Sequence, residues 1–530
     1  MRTAKGAVLG LLLLLVMGTV PAAAVPEGPA PGTPDWYARE ASNFARAHEE
    51  MQRELTPAFQ SRLNAQSTAN LLAYNARQLS DPSWNSFGNV CQTWQYDCAG
   101  DPFRYPGVDP FYDSATVTPI NFYDSQGARL NGRIWAPKGA TSAHKLPAVV
   151  IETGSVQAPE PLYWWFAETL VRNGYVTMTF DVRGQGMSDN IAPGGTATPD
   201  DHFGTNVYSP VFWTGLIDAI DFFRSSPAHP YPNNTAGEAM HPKPPRTTDA
   251  TAYNPAYQLI DPARFGIAGH SLGATGVSIV QGYGAPGADP WPGKIDHTNP
   301  VDVTVAWDNL TVGSSQMGSQ PPPAAVPRVP AMGSSNDYSL TPTPYASPPG
   351  PDTKKLAFQG WQKAQIPSIQ LVIQGGTHFE YSLIPSEPAP FPATNWFTWG
   401  NPIADHYSLA WFDRWLKQPG EAGFADADKR LLADKDWGPR MSFYLRTARD
   451  FSDRQGVRHH CEDVRAGCTD TAAAFTPPPY VPAANTPAMG GAAGGLPNSS
   501  APLPLPLPAL IAMGLCCAAA LRFLPRRGHR

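Results

Sequence analysis

Ser271 sits at the centre of Gly269-His270-Ser271-Leu272-Gly273, a GxSxG pentapeptide within the run Arg264 to Gly276. Between a strand and a helix, such a pentapeptide leaves the serine hydroxyl exposed on a tight elbow. Its glycines avoid collisions across the turn, and the N–H of Leu272 is left to face a developing oxyanion. A serine hydroxyl is too weakly acidic to attack an acyl carbon unaided, so this chemistry needs an imidazole base and a carboxylate that orients it. His378 is the expected base: it follows the apolar strand Ile369 to Gln374, and Gly375 and Gly376 let its loop fold back over the sheet. His406 begins a later helix and reads as a surface or capping residue, and His270, inside the elbow, is expected to point away from the serine.

Two acids compete to orient the base. Asp337 closes Pro330-Ala331-Met332-Gly333-Ser334-Ser335-Asn336-Asp337, and Asp308 closes Thr304-Val305-Ala306-Trp307-Asp308 one strand earlier. Asp337 is preferred because its strand immediately precedes that of the histidine. Asp308 is the alternative acid, or else a loop-capping or substrate-side carboxylate. The second oxyanion donor is expected in Thr153-Gly154-Ser155-Val156, from Ser155. Tyr163, Trp164, Trp165 and Phe166 follow closely and read equally as an acyl pocket or as core.

The elements that must hold these residues follow from periodicity. Val117 to Asp124 and Arg129 to Ala136 read as a β-hairpin around Ser125-Gln126-Gly127. Ala148 to Glu152, Pro161 to Arg172 and Tyr175 to Phe180 then read as strand, helix, strand, a crossover that implies a parallel sheet. Val211 to Phe223 is a further helix, with apolar residues at 212, 213, 216, 217, 220 and 223. Pro227 to Asp261 lacks periodicity, so the stretch 190–261 reads as a lid or a surface excursion. Strands are expected at Val301 to Ala306, Val329 to Gly333 and Ile369 to Gln374, and a helix at 404–417.

Taken together, the elbow, the run Phe180-Asp181-Val182-Arg183-Gly184-Gln185-Gly186-Met187-Ser188-Asp189, Asp337 and Gly376-Thr377-His378-Phe379 resemble the α/β-hydrolase superfamily over about residues 115–418. Within it they are similar to dienelactone-hydrolase-like, cutinase-like and X-prolyl-peptidase-like secreted enzymes. The resemblance implies an α/β-hydrolase fold, with a mostly parallel eight-stranded sheet flanked by helices and a Ser-His-Asp acyl-transfer mechanism. It also implies a structural role for Arg183 and its glycines. Glu152-Thr153-Gly154-Ser155 departs from the His-Gly-Gly oxyanion loop of lipases, which argues against long-chain lipids.

The chain has 530 residues, 15% of them charged, with 38 basic and 44 acidic side chains and a formal net charge of -6. That balance offers no polyanion-binding surface, so nucleic acid is not an expected partner. No dinucleotide fingerprint or phosphate loop occurs, and no cofactor or metal is expected. Residues 1–24 read as a secretory signal: Arg2 and Lys5, an apolar run, then Ala22-Ala23-Ala24. Residues 25–112 read as a helical N-terminal extension, 113–475 as the catalytic domain with a C-terminal tail, and 476–502 as a Pro/Gly/Ala-rich linker. Residues 503–530 read as an apolar membrane anchor with a basic tail, although prolines at 504, 506 and 508 shorten it. Export favours two local disulfides, Cys91 with Cys98 and Cys461 with Cys468.

The sequence therefore predicts an exported, surface-held serine hydrolase acting on a small-molecule or polymeric ester. A peptidase or amidase of the X-prolyl type, or an inactive surface-binding module on the same fold, are the alternatives. Oligomeric state has no sequence signature here.

Overall fold

The computed structural model describes residues 29–30, 32–52, scattered positions between 56 and 79, 115–155, 158–189, 210–240, 250–313, 322–339, 343, 345, 347–382, 400–465 and 467–472. The expected signal segment, the Cys91–Cys98 pair, the linker and the apolar C-terminal segment lie outside the described residues. Among the described residues no helix is long and apolar enough to cross a membrane.

The hairpin forms as β1 (Ala115–Tyr123) and β2 (Arg129–Pro137), paired antiparallel from Ala115–Pro137 to Tyr123–Arg129. Beyond it, β3 (Leu146–Glu152), β4 (Val176–Phe180), β5 (Ile260–His270), β6 (Val303–Trp307), β7 (Ala331–Asn336) and β8 (Ser368–Ile373) make the parallel body. β3, β6 and β8 are mainly apolar, whereas β4 (Val-Thr-Met-Thr-Phe) and β7 (Ala-Met-Gly-Ser-Ser-Asn) carry polar residues that are nevertheless covered on both faces, as in a parallel sheet. β4, β6, β7 and β8 are buried at every position.

Along the sheet the strands lie in the order β1-β2-β4-β3-β5-β6-β7-β8. The order reverses at β3, and β5, which carries the serine, lies at the middle. This is the α/β-hydrolase arrangement that the sequence implies. The tail adds three antiparallel strands beyond β8, namely β9 (Ala448–Ser452), β10 (Val457–Cys461) and β11 (Thr469–Ala472), so the sheet has eleven strands among the described residues. Cys461 and Cys468 form the expected disulfide, with Cα atoms 4.5 Å apart, and close the loop between β10 and β11.

Helices cover both faces. On one side α2 (Trp164–Arg172) packs with the later helix Asn401–Leu416. On the other lie α3 (Val211–Arg224) and the helix Leu272–Val280 that follows the serine. Trp164, Trp165 and Phe166 are buried in the first core, with Phe166 5.0 Å and Trp165 5.4 Å from Trp307 between ring centroids. They belong to this core, which is the packing half of the sequence reading. Within the expected excursion, Asn233–Met240 is a helix whose Asn234 side chain accepts from the Tyr123 N–H at 3.2 Å.

At the amino terminus, α1 (Pro34–Gln52) docks on the body through fully buried Trp36 and through Glu40. The Glu40 carboxylate accepts from the Tyr338 hydroxyl at 2.8 Å and the Tyr345 N–H at 2.9 Å.

Candidate active site

β5 runs into the elbow at His270, and Ser271 takes φ 59° and ψ -120°, a conformation that costs a non-glycine residue strain. What holds it there is local. The Ser271 N–H donates to the Trp307 carbonyl at 2.9 Å, which extends the β5–β6 ladder through the turn, and a helix starts at Leu272. A Cβ on Gly269 would lie 2.3 Å from the Gly273 carbonyl oxygen, and one on Gly273 would lie 2.4 Å from that of Thr153. Both are backbone atoms with nowhere to go, so the elbow requires glycine at each position. Leu272 is the first residue of its helix, where an N–H has no acceptor within its own turn.

The base arrives from β8, three strands away from β5. After β8 the chain crosses back through Gly375, at φ 59°, and His378 is held by its N–H, which donates to the Ser339 carbonyl at 3.0 Å. Thr377 caps the short 3-10 helix His378–Tyr381, with Glu380 completing a capping box. The imidazole then makes two bonds, Nε2 to Ser271 Oγ at 2.9 Å and Nδ1 to Asp308 Oδ2 at 2.6 Å. An ionised carboxylate only accepts, so Nδ1 carries the ring proton and Nε2 presents its lone pair to the serine hydroxyl. Asp308 is fully buried, and Ser271 and His378 retain 8% and 5% of their exposure. Burial alone would raise the Asp308 pKa, but the hydrogen bond and charge of His378 outweigh it and hold the carboxyl at about 2. Asp308 Oδ1 also accepts from the Ser335 hydroxyl at 3.3 Å.

The acid expected from the sequence, Asp337, is therefore corrected: the residue that meets His378 is Asp308. The reason is register. His270 pairs with Trp307 and Trp307 with Ser334, so Asp308 continues the sheet at the level of Ser271, one strand away. Asp337 lies a strand further out and three residues beyond Ser334. Its carboxylate instead accepts from the Gly375 N–H at 2.7 Å and from the Ser442 hydroxyl, and so braces the start of the base loop.

Burial raises the Asp337 pKa to about 7, opposed by the bonds from Ser442 and Gly375, with the Glu40 charge adding to the rise. A carboxyl whose folded pKa lies above its unfolded value binds more protons when folded, so its contribution favours the fold at low pH and is lost as pH rises from about 4 to about 7. Asp337→Asn is expected to gain stability relative to the parent across that interval. Urea denaturation at pH 4.5 and 7.5 measures the difference, and an unchanged gap between the two proteins would contradict it.

Above the serine, the turn after β3 makes the remaining wall. A Cβ on Gly154 would sit 3.3 Å from Ser271 Cβ, so the loop passes directly over the nucleophile, with Ser155 next in line and half-buried. Gln185 pins this loop: its amide donates to the Gly154 carbonyl at 2.8 Å and accepts from the Ala158 N–H at 2.9 Å. Gln185 has no local sequence signal for this role, because it lies in the run Phe180 to Asp189 whose resemblance implies a structural role for Arg183 and the glycines alone. The structural part of that reading fits Arg183, which faces Asp124 across 3.6 Å. His406 is half-buried, with Nε2 on the Arg430 carbonyl at 3.0 Å.

No protein-family model matches the chain, and no curated protein matches it by sequence. Among solved structures it is similar to Thermogutta terrifontis esterase 2 phosphorylated by paraoxon, at 15% identity and TM-score 0.35 over 56% of this chain and 92% of that one. A Klebsiella pneumoniae protein assigned as a dienelactone hydrolase aligns at 14% identity and TM-score 0.33, over 57% of this chain and 100% of its own. A Pseudomonas aeruginosa hypothetical protein aligns at 17% identity and TM-score 0.23, over 38% of this chain and 46% of its own. At these values none of the likenesses carries the chemistry of the site, which stands on its own distances.

Proposed function

We propose that this protein is a serine hydrolase that cleaves carboxylic esters through an acyl-enzyme, with Ser271 as nucleophile, His378 as general base and acid, and Asp308 as the orienting carboxylate. The observation that carries the proposal is the continuous bonding from Asp308 Oδ2 through both ring nitrogens of His378 to Ser271 Oγ, at 2.6 and 2.9 Å. In the first half-reaction Ser271 Oγ attacks the ester carbonyl carbon while its proton passes to His378 Nε2. The Leu272 and Ser155 N–H groups receive the oxyanion, and the imidazolium returns the proton to the departing alcohol. Water then gives a proton to Nε2 as its oxygen attacks the acyl carbon. Collapse of that second tetrahedral species returns the proton to Ser271 Oγ and releases the acid. Asp308 stays ionised throughout, holding Nδ1–H and stabilising the transient imidazolium.

The expected substrate is a small-molecule or polymeric ester met outside the cell, and the disulfide on β10 is compatible with an oxidising compartment. Membrane retention through residues 503–530 belongs to the same proposal. The test is covalent: a fluorophosphonate probe is expected to label the purified chain once, at Ser271 by peptide mass mapping, and to block hydrolysis of p-nitrophenyl acetate in step with labelling. Full turnover of the labelled protein, or equal labelling of Ser271→Ala, would sink the assignment.

A further inference from the structure

His270 does not point away from the site, as its place in the elbow suggests. Its ring lies 4.6 Å from that of His378, its Nε2 meets the His378 main-chain carbonyl at 2.9 Å, and its Nδ1 meets the Tyr163 hydroxyl at 2.8 Å. That hydroxyl in turn receives the Gly154 N–H at 3.0 Å. We propose that His270 and Tyr163 are positioning residues that tie the base loop to the loop offering the second oxyanion donor, a role that rests on the acyl-transfer reading above.

The proton order along this chain is forced by its two ends. A main-chain carbonyl only accepts, so His270 carries its proton on Nε2 and a lone pair on Nδ1. A main-chain amide only donates, so the Tyr163 oxygen accepts from Gly154 and its own O–H points to His270 Nδ1. Each internal group therefore has one donor and one acceptor role, and each is filled. Both side chains are buried, Tyr163 completely. Burial lowers the His270 pKa to about 3, with the neighbouring His378 charge in the same direction, so the neutral ring that this pattern needs persists at working pH.

Two consequences bear on the reaction. The Gly154 amide is spent on Tyr163, which leaves the next amide, that of Ser155, as the candidate for the oxyanion. Furthermore, His270 immediately precedes the nucleophile, so the carbonyl of the base residue is held by the neighbour of the serine it must serve. Displacement of either loop strains the same hydrogen-bonded chain. A histidine that merely filled space between strands would need neither bond.

The experiment compares Tyr163→Phe, His270→Leu, His270→Gln and the Tyr163→Phe/His270→Leu double variant of the full chain, in steady-state hydrolysis of p-nitrophenyl acetate. A glutamine amide carries a donor and an acceptor on one carbon, as the two ring nitrogens do, so it can rebuild the chain. Tyr163→Phe and His270→Leu are expected to lower kcat about tenfold with KM held within twofold, His270→Gln to recover to within about threefold of the parent, and the double variant to fall no further than the weaker single one. Unimpaired kcat in either single variant, a His270→Gln as slow as His270→Leu, or multiplicative losses in the double variant would overturn the proposal. Nitrogen-15 spectra of the parent's histidines test it without substitution: His270 is expected as a neutral Nε2–H tautomer down to about pH 4, and an Nδ1–H tautomer would refute it. Parent turnover that Ser271→Ala abolishes is the control. Its absence counts against the acyl-transfer reading, whereas its presence beside unimpaired Tyr163 and His270 variants counts against this inference alone.

Discussion

Asp308→Asn is expected to lower kcat for ester hydrolysis by about 10⁴-fold, whereas Asp337→Asn should lower it by less than tenfold. The difference follows from what each carboxylate touches. Asp308 accepts the Nδ1 proton of His378 at 2.6 Å. An asparagine there presents either an amide nitrogen, which cannot accept, or an uncharged oxygen that leaves the developing imidazolium without its counter-charge. The favoured escape is the other ring tautomer, with the proton on Nε2, and such a ring cannot take the serine proton. Asp337 has no part in that proton transfer, because its carboxylate serves Gly375 and Ser442. Its loss loosens the base loop at one anchor. Steady-state kinetics on both variants, alongside fluorophosphonate labelling rates, makes the comparison. Equal losses in the two, or the larger loss in Asp337→Asn, would restore the acid that the sequence favours.

How far the site can be read from the sequence depends on which residues announce themselves locally. The Ser271 elbow is legible because its constraints lie within five residues, and the apolar run before it and small residues after it are part of the same signal. His378 is legible because two glycines follow a strand and mark a loop that must fold back. The acid is ambiguous because Asp308 and Asp337 are each a carboxylate at the end of an apolar strand, and nothing local distinguishes them. The pairing of His270 with Trp307, which puts Asp308 level with the serine, is a fact about strands and not about either segment. His270 and Tyr163 are opaque for the same reason, since 107 residues separate the partners of the bond between them. Strands β9 to β11 escape because they are four or five residues long and rich in Asp, Arg and His, so their pattern is set by ion pairs such as Arg458 with Asp450 rather than by alternation.

Gly273→Ala is expected to abolish most activity while Gly215→Ala leaves it intact, a contrast that isolates close packing at the elbow from the general effect of adding a methyl group. A Cβ at 273 would meet the Thr153 carbonyl oxygen at 2.4 Å and Glu152 Cγ at 2.7 Å. Neither neighbour can yield cheaply. Thr153 begins the loop that passes over Ser271, and Glu152 is fully buried at the end of β3. Relief must come from moving the helix Leu272–Val280 or the loop, and either motion separates the Leu272 N–H from the candidate Ser155 donor. Removal of one oxyanion donor costs about 10²- to 10³-fold in kcat, and overpacking of this kind costs about 1–3 kcal/mol of stability. At Gly215, inside α3, the same methyl meets only Val182 Cγ1 at 3.8 Å, an ordinary contact, and the helix gains about 1 kcal/mol from losing a glycine. Kinetics and thermal melts on the two variants decide the matter. A Gly273→Ala protein with parental kcat would mean that the loop over the serine has room to move, and that the donors above Ser271 are not fixed by this contact.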